Sequence, residues 1–245
     1  MSEAVLERLG LDDRPSVDPD GLAALYEAWG QHVPWDCVRK RLYFSSACDG
    51  PLPGSTPEDF FASWLEHGTG GTCWAGSIAL RALLESLGFE ARFGAGQVQV
   101  EHDSPLMPIP SHGTTIVRFG DDDVIVDSSF LTREPLPLVD DRRTFRFAPF
   151  HDAGGKFWRI VLDAVPGEMV DAWHEATRAT SPFNRFLNAR RNDGDEVVGW
   201  SFGHGVRLRS DGTVEHDEGG RKPWLVEVLG FSEEIVDRLP DDEAA

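Results

Sequence analysis

The stretch Gly70-Gly71-Thr72-Cys73-Trp74 decides the fold of this region, because it joins a glycine turn to a long apolar segment. The residues from Ile78 to Leu87 are apolar on nearly every face, which predicts a buried helix. Gly88 follows as a left-handed C-terminal stop. The glycine pair is expected to let the backbone turn sharply and approach a ligand closely. Cys73 is thereby predicted to lie in the first turn of a core helix.

A cysteine in that position is predicted to be an activated nucleophile. The first turn of a helix carries free N–H groups and the positive end of the helix dipole, and both favour a thiolate. Beside an imidazolium, such a site lowers a cysteine pKa from ~8.5 to roughly 3.5–7.5. The same N–H groups are placed to hold the oxyanion of a tetrahedral intermediate.

A hairpin is predicted downstream of this helix. The runs 115–119 and 124–126 are rich in β-branched residues on either side of the turn residues 120–123. A two-residue turn at Gly120-Asp121, with glycine first as a type II′ turn prefers, pairs Phe119 with Asp122.

This register predicts that His112 and Asp127 share one face of the hairpin. Counting back from the turn pairs Thr114 with Asp127, so His112 lies one diagonal step away, at roughly 7–8 Å between backbones. A turn one residue longer would flip the parity and separate the two side chains. The register is therefore a testable expectation.

A thiol, an imidazole and a carboxylate together predict acyl-transfer chemistry at a cysteine. The thiolate attacks, the imidazole moves the proton, and the carboxylate orients the imidazole and stabilises its charged form. Taken singly, Cys73 also fits a small buried hydrophobe, and His112 and Asp127 fit strand-end residues. A metal site is not predicted, because these residues lack the short paired spacing of zinc motifs.

Around these residues the chain resembles the arylamine N-acetyltransferases, whose Cys-His-Asp site is shared with transglutaminase-like and papain-like enzymes. Five segments carry the resemblance: Leu6-Glu7-Arg8-Leu9-Gly10, Val33-Pro34-Trp35-Asp36, Thr69-Gly70-Gly71-Thr72-Cys73, Val126-Asp127 and Ser181-Pro182-Phe183. The family's nucleophile maps to Cys73, its histidine to His112 and its aspartate to Asp127.

The resemblance implies an α+β fold of the cysteine proteinase-like kind, with an N-terminal helical bundle, a central antiparallel β-barrel and a C-terminal α/β region. Periodicity along the chain divides it in the same way. Residues 1–88 are mostly helical, and residues 89–165 alternate as strands, which is typical of a small antiparallel barrel or sandwich. Residues 166–245 mix both patterns and are expected to form a lid-like cover.

Three departures from the family pattern bear on the acyl donor. Thr69 replaces the arginine before the glycine pair, and Ala75 replaces the glutamate two residues after the nucleophile. Ser128-Ser129-Phe130-Leu131 replaces a Val-Gly-Phe-Gly stretch suited to coenzyme A. Side chains at Ser129 and Leu131, the expected donor-binding positions, occupy volume that glycines would leave free. Weak use of acetyl-coenzyme A follows, with a longer acyl chain or an acyl carrier protein as alternative donors.

Three aromatic residues, Trp35, Phe130 and Phe202, are predicted to line an aromatic acceptor pocket, although core packing explains each of them equally well. Five arginines concentrate positive charge in an acidic chain: Arg185, Arg190, Arg191, Arg207 and Arg209. They fit either a solvated surface or a patch that steers an anionic donor.

Composition excludes several classes of protein. The 245 residues carry 42 acidic and 23 basic side chains, a net charge of −19, which argues against binding to nucleic acid or anionic membranes. Cys37 and Cys48 are expected to be ordinary reduced thiols. No signal peptide and no apolar run of ~20 residues is visible, so a cytoplasmic protein is expected.

The predicted function is ping-pong transfer of an acyl group from a thioester to an amine through a Cys73 acyl-enzyme, without a bound cofactor. The expected partners are a small amine and an acyl-coenzyme A or carrier-bound thioester. Two alternatives stay open: a transglutaminase- or peptidase-like cysteine hydrolase or amidase, and an inactive homologue that only binds.

Overall fold

The N-terminal part of the protein is helical, as predicted. The computed structural model describes residues 2–46, 48–99, 109–138, 144–147, 156–201 and 203–242. Its first helices are α1 Ser2–Arg8, α2 Pro19–His32, α3 Val38–Ser45, α4 Pro57–His67 and α5 Cys73–Ser86. Within the described residues, no helix combines the length and the apolar composition that a bilayer crossing requires.

Local chemistry sets the starts of α2 and α4. The Asp18 carboxylate accepts the Gly21 N–H, and the Thr56 hydroxyl accepts the Asp59 N–H, so each helix begins at a side-chain cap. Proline occupies the first turn of both helices, where its missing N–H costs nothing. Gly68 ends α4 in the left-handed conformation with φ +75°.

Helix α5 forms the centre of the main core. Its buried side chains pack with aromatic residues of α2 and α4 and with apolar residues of the neighbouring sheet. The aromatic partners are Trp29, Phe60, Phe61 and Trp64, which stack or meet edge to face. Because α5 is packed on several sides, the position of its first turn is rigidly defined.

A six-stranded antiparallel sheet packs against α5. Its strands are β2 Ala91–Gln99, β3 His112–Phe119, β4 Asp122–Val126, β5 Leu136–Pro137, β6 Thr144–Phe147 and β7 Lys156–Val165. Their order is β5-β4-β3-β2-β7-β6. The α+β class is confirmed.

The predicted closed barrel is wrong, because in the described part of the chain β5 and β6 remain the two edges of an open sheet. Edge strand β5 has two residues, and Pro137 lacks an N–H to extend the ladder. Helix α5 already packs against β2 and β3. Packing of α5 against the sheet buries apolar surface without the need for closure.

The predicted hairpin register is confirmed. Strands β3 and β4 pair Phe119 with Asp122, Val117 with Val124 and Ile116 with Ile125. Gly120 has φ +61°, the left-handed value that the first turn position requires.

A second antiparallel sheet joins distant parts of the chain. Its strands are β1 Trp35–Asp36, β8 Asn188–Asp193, β9 Glu196–Ser201, β10 His204–Leu208 and β11 Val214–Asp217, in the order β1-β8-β9-β10-β11. The sequence did not predict β8, because Asn-Ala-Arg-Arg-Asn-Asp lacks an apolar alternation.

Helices flank this second sheet in sequence. Helix α6 spans Gly167–Thr180 and a 3₁₀ turn spans Pro182–Asn184. At the C-terminus, α7 Arg221–Pro223 continues as a π-helical turn over Trp224–Val228, and α8 spans Glu233–Asp237. The predicted closing helices between 223 and 239 are thereby confirmed.

Candidate active site

Cys73 is the first residue of α5, as predicted. Thr72 precedes it as an extended N-cap residue, and the Thr72 carbonyl accepts the Gly76 N–H at 2.8 Å. Cys73 is partly exposed, and it packs against the same apolar cluster as Trp173 of α6. A reagent or substrate can therefore reach a cysteine that stands at a helix N-terminus.

Gly70, which precedes this helix, allows two segments of the chain to pack closely together. The sequence predicted that it would allow the close approach of a ligand. A Cβ at Gly70 would stand 1.9 Å from the Pro34 carbonyl oxygen. The Gly70 N–H donates to Asp36 Oδ2 at 2.6 Å, and the Val38 N–H donates to Asp36 Oδ1 at 2.9 Å. Gly71 continues the contact as a parallel bridge to Trp35. The loop that presents Cys73 is thus attached to β1.

His112 and Asp127 meet at the start of β3 and just beyond the end of β4. His112 Nε2 lies 2.6 Å from Asp127 Oδ2, and both side chains are fully buried. This contact confirms that the hairpin register brings the two residues to one face.

Asp127 is held in place from two directions. Its Oδ1 accepts the N–H groups of Ser129 at 2.8 Å and Phe130 at 3.2 Å. Its backbone is bound by Tyr26 of α2, whose hydroxyl donates to the Asp127 carbonyl at 2.9 Å and accepts the Asp127 N–H at 3.1 Å. Sequence reasoning missed Tyr26, because a tyrosine on an apolar helix face gives no signal of a polar partner 101 residues away.

The thiol and the imidazole support each other's charge. Burial disfavours the thiolate, but the His112 imidazolium, its hydrogen bond and the Gly113 N–H together hold the pKa of Cys73 below its ordinary value. Burial also disfavours the imidazolium, but the charges of Asp127 and Cys73 raise the pKa of His112 to about 9. The charged forms of Cys73 and His112 therefore stabilise each other.

Two of the three predicted acceptor-pocket residues have visible packing roles. The Phe130 ring stacks on the His112 ring with centroids 5.1 Å apart. The Trp35 ring meets Phe183 edge to face at 4.8 Å. Phe202 lies outside the described residues. A role in binding an acceptor stays a prediction for all three.

The two predicted donor-binding residues follow Asp127 directly. Ser129 is buried and donates its N–H to Asp127. Leu131 has φ +56°, the backbone region that favours glycine, at a position where the family pattern has glycine. The turn has therefore kept the glycine conformation while it carries a leucine side chain.

Thr69 and Ala75 stand where the family pattern has an arginine and a glutamate. The loop before Cys73 therefore carries no arginine at position 69. Thr69 is fully buried and its hydroxyl lies 2.7 Å from the Ser63 hydroxyl. Burial raises the pKa of Asp36 to about 7, and its two backbone hydrogen bonds only partly oppose that shift. Ala75 is packed in the main core.

Two cationic side chains that the sequence did not place at the site lie around it. Arg190 of β8 lies with its guanidinium 4.4 Å from the Trp35 ring centroid and donates to the Ser129 carbonyl at 3.3 Å. Lys40 of α3 is buried and donates to the Thr177 hydroxyl at 2.7 Å. By contrast, Arg207 and Arg209 form surface ion pairs, as the solvated-surface interpretation expects.

Comparisons with known proteins agree with this architecture. A family model described as N-acetyltransferase matches residues 54–146. An arylamine N-acetyltransferase from Mycolicibacterium smegmatis is 29% identical over 128 residues, which cover 51% of this chain and 44% of that relative. The match therefore spans less than half the length of that relative.

Solved structures match over nearly the whole chain. The arylamine N-acetyltransferase of M. tuberculosis has a TM-score of 0.81 at 17% identity, covering 98% of this chain and 99% of that one. A Bacillus cereus arylamine N-acetyltransferase, described as having a unique Cys-His-Glu catalytic triad, has a TM-score of 0.73 at 14% identity, covering 94% and 98%. These likenesses establish the fold.

By the family model and by its fold, this chain is similar to the N-acetyltransferases. The curated relative and the solved structures that this chain resembles are arylamine N-acetyltransferases, so the resemblance seen in its sequence is confirmed.

Proposed function

We propose that this protein transfers an acyl group from a thioester to an amine through a covalent intermediate on Cys73. The observation that carries the proposal is the chain of contacts from Asp127 through His112 to a partly exposed thiol whose pKa is lowered. Its family implies acetyl transfer to amines. A cysteine, a histidine and a carboxylate also match the residue types named for the Bacillus cereus relative, which uses glutamate.

In the first half-reaction the Cys73 thiolate attacks the thioester carbonyl carbon and forms a new C–S bond. Backbone N–H groups in the first turn of α5 are placed to stabilise the oxyanion. When the tetrahedral intermediate collapses, the donor's C–S bond breaks, and the leaving thiolate takes the proton held by His112.

In the second half-reaction an amine attacks the acyl-enzyme. His112, now neutral, accepts the amine's proton, and the C–S bond to Cys73 breaks to release the amide and regenerate the thiolate. Asp127 keeps the imidazole in the tautomer that presents its other nitrogen to sulfur. No metal enters either step.

For the donor, we propose a thioester other than acetyl-coenzyme A, such as one with a longer acyl chain. Ser129 and Leu131 follow Asp127 at positions where the family pattern has glycines, and their side chains add volume that glycines would leave free to a pantetheine arm. The comparisons offer no support for an acyl carrier protein.

The deciding experiment measures the intact mass of the protein after incubation with acetyl-coenzyme A, longer acyl-coenzyme A esters and acyl-N-acetylcysteamines. We expect an adduct that is absent from the Cys73→Ala variant and forms slowly with acetyl-coenzyme A. Leu131→Gly is the matched variant, because it suits the left-handed backbone and removes the side chain. It should accelerate acylation by acetyl-coenzyme A.

Three outcomes would count against the proposal or its donor specificity. If acetyl-coenzyme A acylates Cys73 fastest, Ser129 and Leu131 do not impair the use of that donor. Acylation by simple amides or esters, with none by thioesters, would indicate the hydrolase alternative. An absence of any adduct on a folded protein would indicate the inactive binding homologue.

A further inference from the structure

A glycine of helix α5 lies against the turn that carries Asp127. Gly76 is in the first turn of α5, three residues after Cys73, and a Cβ at Gly76 would stand 2.7 Å from the Cβ of Ser128 and closer still to its Oγ. Carbon atoms in contact are separated by about 3.5–4.0 Å, so a side chain at position 76 would displace Ser128. Glycine is otherwise less favourable than alanine inside a helix. Gly76 therefore allows the helix and the turn to approach each other closely.

On the turn, Ser128 is enclosed by the hydrogen bonds of the Asp127 carboxylate. Asp127 Oδ1 accepts the N–H groups of Ser129 at 2.8 Å and Phe130 at 3.2 Å, and these bonds close a ring that contains Ser128. The other oxygen, Oδ2, lies 2.6 Å from His112 Nε2. A displacement of Ser128 therefore moves the carboxylate or breaks the hydrogen bonds that hold it.

On the helix, the first turn of α5 is closed around Cys73. The Gly76 N–H donates to the Thr72 carbonyl at 2.8 Å, and Cys73 lies between these two residues in the chain. Residues three apart in a helix are neighbours on its surface, so Gly76 and Cys73 move together. The contact of Gly76 with Ser128 thus joins the turn that carries Cys73 to the turn that carries Asp127.

Ser128 makes this contact by packing alone. The residue is 5% exposed, and in the described part of the chain its hydroxyl has no hydrogen-bond partner. A buried hydroxyl without a partner costs stability, so the side chain is not held by polar interactions. What Ser128 supplies is a small group of fixed size between the turn and the backbone of α5.

We propose that Gly76 and Ser128 are positioning residues, which together set the distance between the turn of Cys73 and the turn of Asp127. With glycine on the helix and a small side chain on the turn, Asp127 reaches His112, and His112 keeps its hydrogen bond to the Cys73 sulfur. Neither Gly76 nor Ser128 touches the reacting atoms. Their effect on acyl transfer rests on the proposed function, but their effect on His112 can be measured without it.

A double-mutant cycle tests the spacing, with wild type, Gly76→Ala, Ser128→Gly and the double variant. Gly76→Ala adds a Cβ that pushes the turn away, and Ser128→Gly removes the side chain that separates turn and helix. The double variant transfers the Cβ from the turn to the helix and restores the spacing. We expect Gly76→Ala to slow acylation of Cys73 by about tenfold to a hundredfold, the scale of a misplacement of about 1 Å. Ser128→Gly should slow it several-fold, and the double variant should recover most of both losses.

The pKa of His112 is the readout that a purely structural role would not change. The charge of Asp127 and its hydrogen bond raise this pKa, so withdrawal of the carboxylate should lower it toward the ordinary histidine value of ~6.5. NMR titration of the ring signals measures it, with the signals assigned by their loss in His112→Gln. Gly30→Ala is the matched control, because it adds a Cβ to α2 at 2.6 Å from the Asn192 side chain of β8. It should leave the pKa of His112 unchanged.

An unchanged pKa of His112 in a folded Gly76→Ala variant would overturn the proposal. So would a loss that the double variant does not recover, because the effect would then belong to the helix or to the turn alone. If Gly76→Ala does not fold, Ser128→Gly is compared with the double variant, which should be acylated faster and show the higher pKa of His112. If no thioester acylates wild-type Cys73, the proposed function fails, while the titration of His112 still decides the positioning role.

Discussion

At the scale of single residues, the site depends on one short contact between a histidine and a carboxylate. Asp127 uses Oδ2 for His112 and Oδ1 for the backbone N–H groups of Ser129 and Phe130. An asparagine would keep Oδ1 on those N–H groups and turn its amide nitrogen towards His112. The imidazole would then have to accept a hydrogen bond where it now donates one, which is the wrong tautomer for catalysis.

We therefore expect Asp127→Asn to keep the fold and to lower the turnover number by about 10³–10⁴-fold. Steady-state kinetics with the best thioester measure the loss, and circular dichroism checks the fold. Asp123→Asn is the matched control, because Asp123 lies on the same hairpin strand and pairs with Arg92 and Arg118 instead. Near-normal turnover in Asp127→Asn would make Asp127 a structural residue.

At the scale of elements, helix α2 holds the end of the hairpin through Tyr26. Its hydroxyl bonds both the N–H and the carbonyl of Asp127 and lies 2.9 Å from the Thr132 hydroxyl. One side chain therefore determines where β4 ends and where the carboxylate begins. A shift of this turn would move Oδ2 away from His112 without any change in the chemical groups of the site.

Tyr26→Phe should lower the free energy of unfolding by about 1–3 kcal/mol, because it leaves buried backbone groups of Asp127 unsatisfied. It should also slow the acylation of Cys73, as measured by stopped-flow or intact mass. Tyr43→Phe removes a comparable hydroxyl that contacts Gly50 and Arg178, and it should leave acylation unchanged. Equal acylation rates in the two variants would show that Tyr26 does not position Asp127.

At the scale of the whole molecule, Asp36 connects β1, α3 and the loop before Cys73. It also makes the free energy of unfolding depend on pH. Its folded-state pKa of about 7 lies above the ordinary value of 3.8, chiefly because of burial. Between pH ~4 and ~7 the folded protein holds a proton that the unfolded chain releases. The stability contributed by Asp36 is therefore present at low pH and is lost as the pH rises through about 7.

We expect the difference in unfolding free energy between wild type and Asp36→Asn to fall as the pH rises from about 4 to about 7, by up to ~1.4 kcal/mol per pH unit. Urea unfolding across this range measures it. Asp59→Asn is the control, because burial opposes ionisation of Asp59 but the Arg39 ion pair and the Gly54 N–H still lower its pKa, so the corresponding difference should stay nearly constant between about pH 4 and 7. If the difference in unfolding free energy between wild type and Asp36→Asn does not change with pH, Asp36 stays ionised in the folded protein.

Local patterns in the sequence were enough to predict the start of α5, the β3–β4 register and the meeting of His112 with Asp127. Each of these depends on neighbours a few residues apart: a glycine turn before an apolar helix for Cys73, and a two-residue turn with a strict period for the hairpin. Such short-range preferences act wherever the segment is placed, so they can be read without knowledge of the rest of the chain.

Tertiary structure alone decided that the sheet is open, that β1 pairs with β8, and that the Tyr26 hydroxyl binds the backbone of Asp127. It also buried Lys40 against Thr177 of α6 and placed Arg190 over the Trp35 ring. Neither residue has a local pattern that distinguishes it from a solvated charge, because burial and partners come from elements far away in the chain. The cysteine, the histidine and the aspartate were therefore visible in the sequence, whereas the surroundings of Lys40 and Arg190 were decided only by the packing of α6 and the second sheet.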